Sequence, residues 1–143
     1  MKAGDIIFVR GTGIISRLVR FFDKGKFSHV AIAVSDTHVI EADWYMRSNI
    51  VEFHYEDYEI VSLNLTDNQR QHIPLTAIKY EGKMYDYIQV LGYIFKSRLN
   101  NPRHLICSEL VYNILSEVGY INDASLRDIT PNELYEILNR QGV

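Results

Sequence analysis

The stretch Phe27-Ser28-His29-Val30-Ala31-Ile32-Ala33-Val34 decides how this chain is read. Successive side chains of a strand point to opposite faces, so His29, Ala31 and Ala33 share one face and Val30, Ile32 and Val34 the other. One face carries aliphatic bulk; the other carries small residues and one imidazole. A turn near Ser35-Asp36 separates this run from a second strand over His38 to Asp43, which bears a carboxylate within Val39-Ile40-Glu41-Ala42. A buried, unpaired carboxylate is unfavourable by several kcal/mol or shifts its pKa, so Glu41 needs a partner.

Whether His29 is that partner depends on the register of the hairpin, because directly paired residues share a face. A loop over Val34 to Asp36 pairs position 29 with 41; moving that loop by one residue pairs 31 with 41, which keeps Glu41 on the His29 face. A two-residue turn at Ser35-Asp36 pairs 30 with 41 and sends Glu41 to the other side. The His29–Glu41 contact therefore requires an odd loop, in a segment without the Gly that eases tight hairpins.

Outward from this hairpin, Gly4-Asp5 introduces the short β-rich run Ile6-Ile7-Phe8-Val9. Gly11-Thr12-Gly13 breaks that run, and Ile14, Ile15, Leu18, Val19 and Phe22 then recur at helical spacing. Further β-type runs over Asn49 to Tyr55 and Glu59 to Leu65 are spaced as in an antiparallel meander. After Thr66 the character changes. A polar helix with Pro74 early in it ends near Gly82, and Tyr87 to Leu99 reads as a more apolar helix stopped by Asn100-Asn101-Pro102. Cys107 to Val118 is a helix with Gly119 as its stop, and Thr130-Pro131 opens a last helix through Asn139. Strands first and helices after predict an α+β fold, an antiparallel sheet packed against helices. No repeat or linker tract divides the 143 residues, so the expectation is one domain over 1–143.

A formal net charge of −3 lacks the basic footprint of phosphate-backbone binding, and no nucleic-acid partner is expected. A single Cys excludes an intrachain disulfide and any zinc site built on several thiolates. No run approaches the ~20 apolar residues needed to span a bilayer, and no long apolar stretch follows Met1. A cytoplasmic protein without metal or cofactor is the default expectation.

Cys107 is placed at the start of an apolar helix, where free backbone N–H groups and the helix dipole favour a thiolate. The same residue also continues a stripe with Leu110, Val111, Ile114 and Val118, which is how an inert buried Cys looks. A nucleophilic Cys needs a base, and the base needs a third group to orient it. His29, alone in an apolar strand, is either that base or a satisfied core histidine. His38, His54, His72 and His104 lie near element ends or in polar surroundings, where solvated His is the ordinary case. A metal site from His29, His38 and Glu41 is disfavoured, since His38 and His29 fall on opposite faces. Arg17, Arg20, Lys24 and Lys26 accompany the first helix and read as its solvated basic face rather than a membrane contact. Ile88 to Phe95 reads as core, and Trp44 and Tyr45 either line a cleft or pack against helices.

Gly4-Asp5-Ile6-Ile7-Phe8, Phe27-Ser28-His29-Val30-Ala31-Ile32, Val39-Ile40-Glu41-Ala42, Gly82 with Tyr85-Asp86, and Cys107-Ser108-Glu109-Leu110-Val111 together resemble the circularly permuted, papain-like cysteine hydrolases of the NlpC type. That group is similar in arrangement to the lecithin:retinol acyltransferases, which have a His where this chain has Glu41. The resemblance covers about residues 4 to 119, with the His strand before the Cys helix. It implies Cys107 as nucleophile, His29 as general base and Glu41 as the residue that orients His29. The implied substrate is a peptide or amide, peptidoglycan-like material among the candidates, cleaved through an acyl-enzyme; the lack of a signal-like stretch and of a wall-binding repeat leads to the expectation of an intracellular or virus-delivered setting rather than an ordinary secreted wall enzyme. The Cys107 backbone N–H, at a helix start, is the expected oxyanion donor. Thioesterase or lipid acyl-transfer chemistry, and a binding module that keeps the fold without turnover, are the alternatives.

Overall fold

A computed structural model of the chain describes residues 1–10, 26–42, 47–82, 102–123 and 129–140, without the side chains of 102–106. The elements are β1 (Ile6–Val9), β2 (His29–Ala33), β3 (His38–Ala42), β4 (Ser48–Glu52), β5 (Tyr58–Val61), α1 (Asp67–Tyr80), α2 (Pro102–Glu117) and α3 (Pro131–Arg140). The strands form one antiparallel sheet in the order β4-β3-β2-β1-β5. The α+β expectation is met. The expected helices over 14–22 and 87–99, Arg17, Arg20, Lys24, Trp44, Tyr45, Tyr85, Asp86 and the 88–95 run lie outside the described residues.

The hairpin register follows the second odd-loop option. Ile32 pairs with Ile40 and Ala33 with Val39, which sets Glu41 level with Ala31 and diagonal to His29. The three-residue loop Ser35-Asp36-Thr37 closes without Gly because the Ser35 hydroxyl accepts hydrogen bonds from the Thr37 and His38 backbone N–H groups, at 3.2 and 3.0 Å. A side-chain oxygen thus takes the place of a backbone acceptor in the turn.

The meander expectation holds for β2-β3-β4 and fails at β5, which crosses to the far edge and pairs with β1. Four inter-strand gaps span about 19 Å, close to the roughly 20 Å that the steps from Glu52 to Tyr58 cover when extended. The connection is therefore laid nearly straight across one sheet face. Phe53 and Tyr55 from it pack on Ile7, Val9, Ala31, Ala33 and Val39. Periodicity does not reveal this, because alternation in the 49–55 run is the same whether the run ends as a strand or continues as a crossover.

The opposite face holds the main core: Ile6, Phe8, Val30, Ile32 and Ile40 meet Cys107, Leu110, Val111, Ile114 and Leu115 of α2, Ile73 and Ala77 of α1, and Leu134 and Leu138 of α3. Capping chemistry sets the helix ends. Thr66 and Gln69 form a reciprocal capping box on α1. Thr130 and Glu133 do the same on α3, with Pro131 in the first position where its missing N–H costs nothing. Gly119 ends α2 at φ +78°, and the Tyr120 N–H returns to the Leu115 carbonyl at 2.9 Å, a Schellman closure. No helix among the described residues is long and apolar enough to cross a membrane.

Gly4 adopts φ +91°, and a Cβ there would fall 2.3 Å from the Leu65 side chain. Gly4→Ala is expected to destabilise the fold by about 1–3 kcal/mol through backbone strain and overpacking. The readout is a lower urea midpoint at unchanged slope; an unchanged midpoint refutes the assignment.

Candidate functional site

The site is built where β2 enters the sheet. Asn132 of α3 holds both backbone groups of Phe27, accepting its N–H at 2.8 Å and donating to its carbonyl at 2.9 Å. Glu59 of β5 accepts hydrogen bonds from Lys26, Tyr135 and Arg10, which hold its carboxyl down at about 2. Lys26 is exposed and pairs with Glu59 at the surface. These contacts fix the backbone two residues ahead of His29, which pairs directly with Val9.

His29 Nε2 lies 3.0 Å from Glu41 Oε2. Only 10% of the His29 side chain and 16% of the Glu41 side chain are exposed, so the pair is largely desolvated. A carboxylate only accepts, so Nε2 carries the hydrogen and Nδ1 is left to exchange a proton with another group. Nδ1 is buried without a hydrogen bond of standard geometry. The Cys107 thiol acts on the same ring as a hydrogen-bonding and charged neighbour. Catalytic hydrogen bonds are often loose before substrate binds.

The electrostatics follow from this arrangement. Burial alone disfavours the imidazolium and is the largest single influence on His29. The polar contact with the Cys107 thiol and the hydrogen bond to Glu41, with the charges of both, outweigh it and raise the pKa to about 9. Burial likewise pushes the Glu41 carboxyl up, but the hydrogen bond and charge of His29, the Tyr55 hydroxyl and the charge of His54 bring it below its ordinary value. The structure therefore brings together Cys107, His29 and Glu41, from α2, β2 and β3.

One sequence expectation is corrected. Helix α2 begins at Pro102, so the Asn100-Asn101-Pro102 segment ends by opening a helix, and Cys107 is its sixth residue. Proline fits the first helical turn because the N–H it lacks would have had no intrahelical acceptor. Only the first four N–H groups of a helix lack an internal acceptor, and the dipole acts over the terminal turn. The Cys107 N–H thus lies beyond the free donors of the helix end, and the polar neighbour of its thiol is His29. Cys107 has no exposed surface and belongs to the main core, as the packing reading expects. The contact with His29 is what that reading does not supply.

Two residues near the site escaped the sequence reading. The Tyr55 hydroxyl donates to Glu41 Oε2, and lies 3.3 Å from His29 Nε2, as two donors sharing one acceptor do. His54 is exposed, as expected of a solvated His, and also sets Nε2 3.9 Å from Glu41 Oε1, with its ring tilted against that of Tyr55 at 4.4 Å. Both come from the crossover, which the meander reading had placed elsewhere. Of the other histidines, His38 is exposed and bonds the Thr37 hydroxyl, and His72 is exposed and bonds the Asn68 carbonyl. Among the described residues no three His, Cys, Asp or Glu side chains group to hold a metal ion. No protein-family model matches the sequence, and no curated protein matches it.

Proposed function

We propose that the protein is a cysteine hydrolase that cleaves an amide or peptide bond through an acyl-enzyme on Cys107, in a permuted papain-like arrangement with the histidine strand ahead of the cysteine helix. The observation that carries this reading is one imidazole held at Nε2 by Glu41, 3.0 Å away, and acted on by the Cys107 thiol. An inert core thiol requires neither the imidazole nor the buried carboxylate behind it.

The chemistry follows from the charge state of His29. With its pKa at about 9, the imidazolium is the form present at neutral pH, paired with the Cys107 thiolate on one side and Glu41 on the other. The thiolate attacks the carbonyl carbon, and the C=O electrons move to oxygen to give a tetrahedral oxyanion. Collapse breaks the C–N bond, His29 Nδ1 delivers its proton to the departing amine, and Cys107 holds the acyl group as a thioester. Neutral His29 then takes a proton from water, the hydroxide attacks the thioester, and loss of the thiolate releases the carboxylic acid.

The test is intact-protein mass spectrometry after incubation with peptides, amides, oxygen esters and thioesters. The expected result is an acyl mass on Cys107, absent from Cys107→Ala, and faster loss of that mass in wild type than in His29→Gln. Adducts from esters and thioesters alone would redirect the reading to thioesterase or acyl-transfer chemistry. Ligand-dependent stabilisation without any adduct would identify a binding module instead.

A further inference from the structure

The crossover between β4 and β5 carries its aromatic residues onto the face that holds His29 and Glu41. Tyr55 is fixed there from two sides. Phe53 meets its ring edge-to-face at 5.5 Å and 88°, and His54 lies against it at 4.4 Å. Phe53 is itself braced by Tyr58 at 4.9 Å. With its ring held by packing, the Tyr55 hydroxyl donates to Glu41 Oε2, the oxygen that holds His29.

We propose that Tyr55 is a positioning residue, the outermost link of a Cys107–His29–Glu41–Tyr55 chain, which keeps the Glu41 carboxylate ionised and aimed at His29 Nε2. The inference rests on the hydrolase reading for its catalytic meaning, while its physical content concerns Glu41 and His29 alone. A hydrogen bond from a neutral donor to a carboxylate favours the ionised form and restricts its rotation. A rotating carboxylate would release Nε2 and allow the imidazole to turn Nδ1 away from the thiol. Among the described residues, the groups around Glu41 are His29 from β2, its cross-strand partner Asn49 from β4, and His54 and Tyr55 from the crossover, with Cys107 of α2 beyond His29. Tyr55 is the neutral donor in this set whose hydroxyl shares the His29-binding oxygen. Periodicity in the 49–55 run gives no sign of this role, because it arises only where the crossover meets β2 and β3.

Tyr55→Phe keeps the ring and its packing and removes only the donor. The first measurement is an NMR titration of the Glu41 carboxyl carbon, which does not depend on turnover. Its midpoint is expected to rise by about one pH unit in Tyr55→Phe, while the thermal midpoint stays within a few degrees of wild type. The second measurement is the pH profile of Cys107 alkylation by iodoacetamide. Its acid limb, a property of the coupled thiol, imidazole and carboxylate, is expected to move upward in the same variant. In a Glu41→Gln background, Tyr55→Phe is expected to leave the profile unchanged, because the group it acts through is gone. A Glu41 midpoint equal to that of wild type overturns the proposal. So does a shifted Glu41 midpoint with an unmoved alkylation profile, which would leave the hydroxyl without influence on the thiol. Absence of any acyl adduct on wild-type Cys107 sinks the hydrolase reading and leaves the Glu41 titration to decide the role of Tyr55.

Discussion

His29→Gln is expected to turn a nearly flat pH profile of Cys107 alkylation into one that rises about tenfold per pH unit between pH 6 and 8. An ordinary thiol with a pKa of about 8.5 is well under 1% thiolate at pH 6. In the wild type His29 keeps its proton to about 9, so the proposed ion pair sets an imidazolium beside Cys107 throughout this range, and the flat profile is what that proposal predicts. The glutamine retains polarity and much of the volume but carries no charge. At pH 6 the expected rate loss is on the order of tenfold rather than the full ratio of thiolate fractions, since a less basic thiolate is also a weaker nucleophile. Cys107 is fully buried, so absolute rates contain an opening step shared by all variants, and the slope with pH is the quantity to compare. Parallel profiles for the wild type and His29→Gln would remove the functional coupling between the two residues.

Folding stability is expected to depend on the same ring. The folded-state pKa of His29, about 9, lies above its unfolded value near 6.5. Below pH 6.5 both states bind the proton and the stabilisation is fully present. Between 6.5 and about 9 the unfolded imidazole has released its proton while the folded one still holds it, so the contribution of His29 taken alone falls by an amount on the order of 3 kcal/mol as pH rises. The proposed Cys107 thiolate offsets this fall up to about pH 8.5, because the unfolded thiol still holds a proton that the folded thiolate has given up. Glu41 acts in the opposite direction: its folded pKa is lowered, so its contribution is present above its ordinary value of 4.5 and disappears as pH falls. Urea midpoints from pH 4 to 10 therefore describe a plateau between roughly 6.5 and 8.5 with a decline on either side. His29→Gln is expected to flatten the alkaline decline, and Glu41→Gln to reduce both limbs. An alkaline decline of equal size in His29→Gln would assign it to other groups.

Much of the sheet, and the reasons for taking His29 and Glu41 as candidates, was legible in local pattern. Alternation in 27–34 and 38–43 placed His29 and Glu41 in neighbouring strands, and the aliphatic spacing after Cys107 marked a helix. The faces assigned to Val30, Ile32 and Val34 match the main core, where all three are buried. The start of α2 is not legible in local pattern, because Pro102 reads equally as the end of a preceding segment; proline fits the first turn of a helix as readily as it terminates one. Nor is the destination of β5. Strand order is decided by which edge offers the better pairing and burial, and five intervening residues of alternating character carry no record of that choice.

The sequence by itself determined that the chain folds as α+β, that His29 and Glu41 lie on adjacent strands, and that Cys107 heads the apolar stripe of a helix. These are consequences of side-chain periodicity and of turn and cap chemistry, which act over a few residues. It also narrowed the hairpin to odd loops without choosing between them. Only the structure decided that choice, in which the Ser35 hydroxyl closes the Ser35-Asp36-Thr37 turn, and only it carried the 53–57 crossover over the sheet. That crossing placed Tyr55 and His54 on Glu41. The packing of α2 under β2 brought the Cys107 thiol to His29 across 78 positions of sequence. Contacts of that separation depend on how whole elements bury their apolar faces, and no local pattern encodes them.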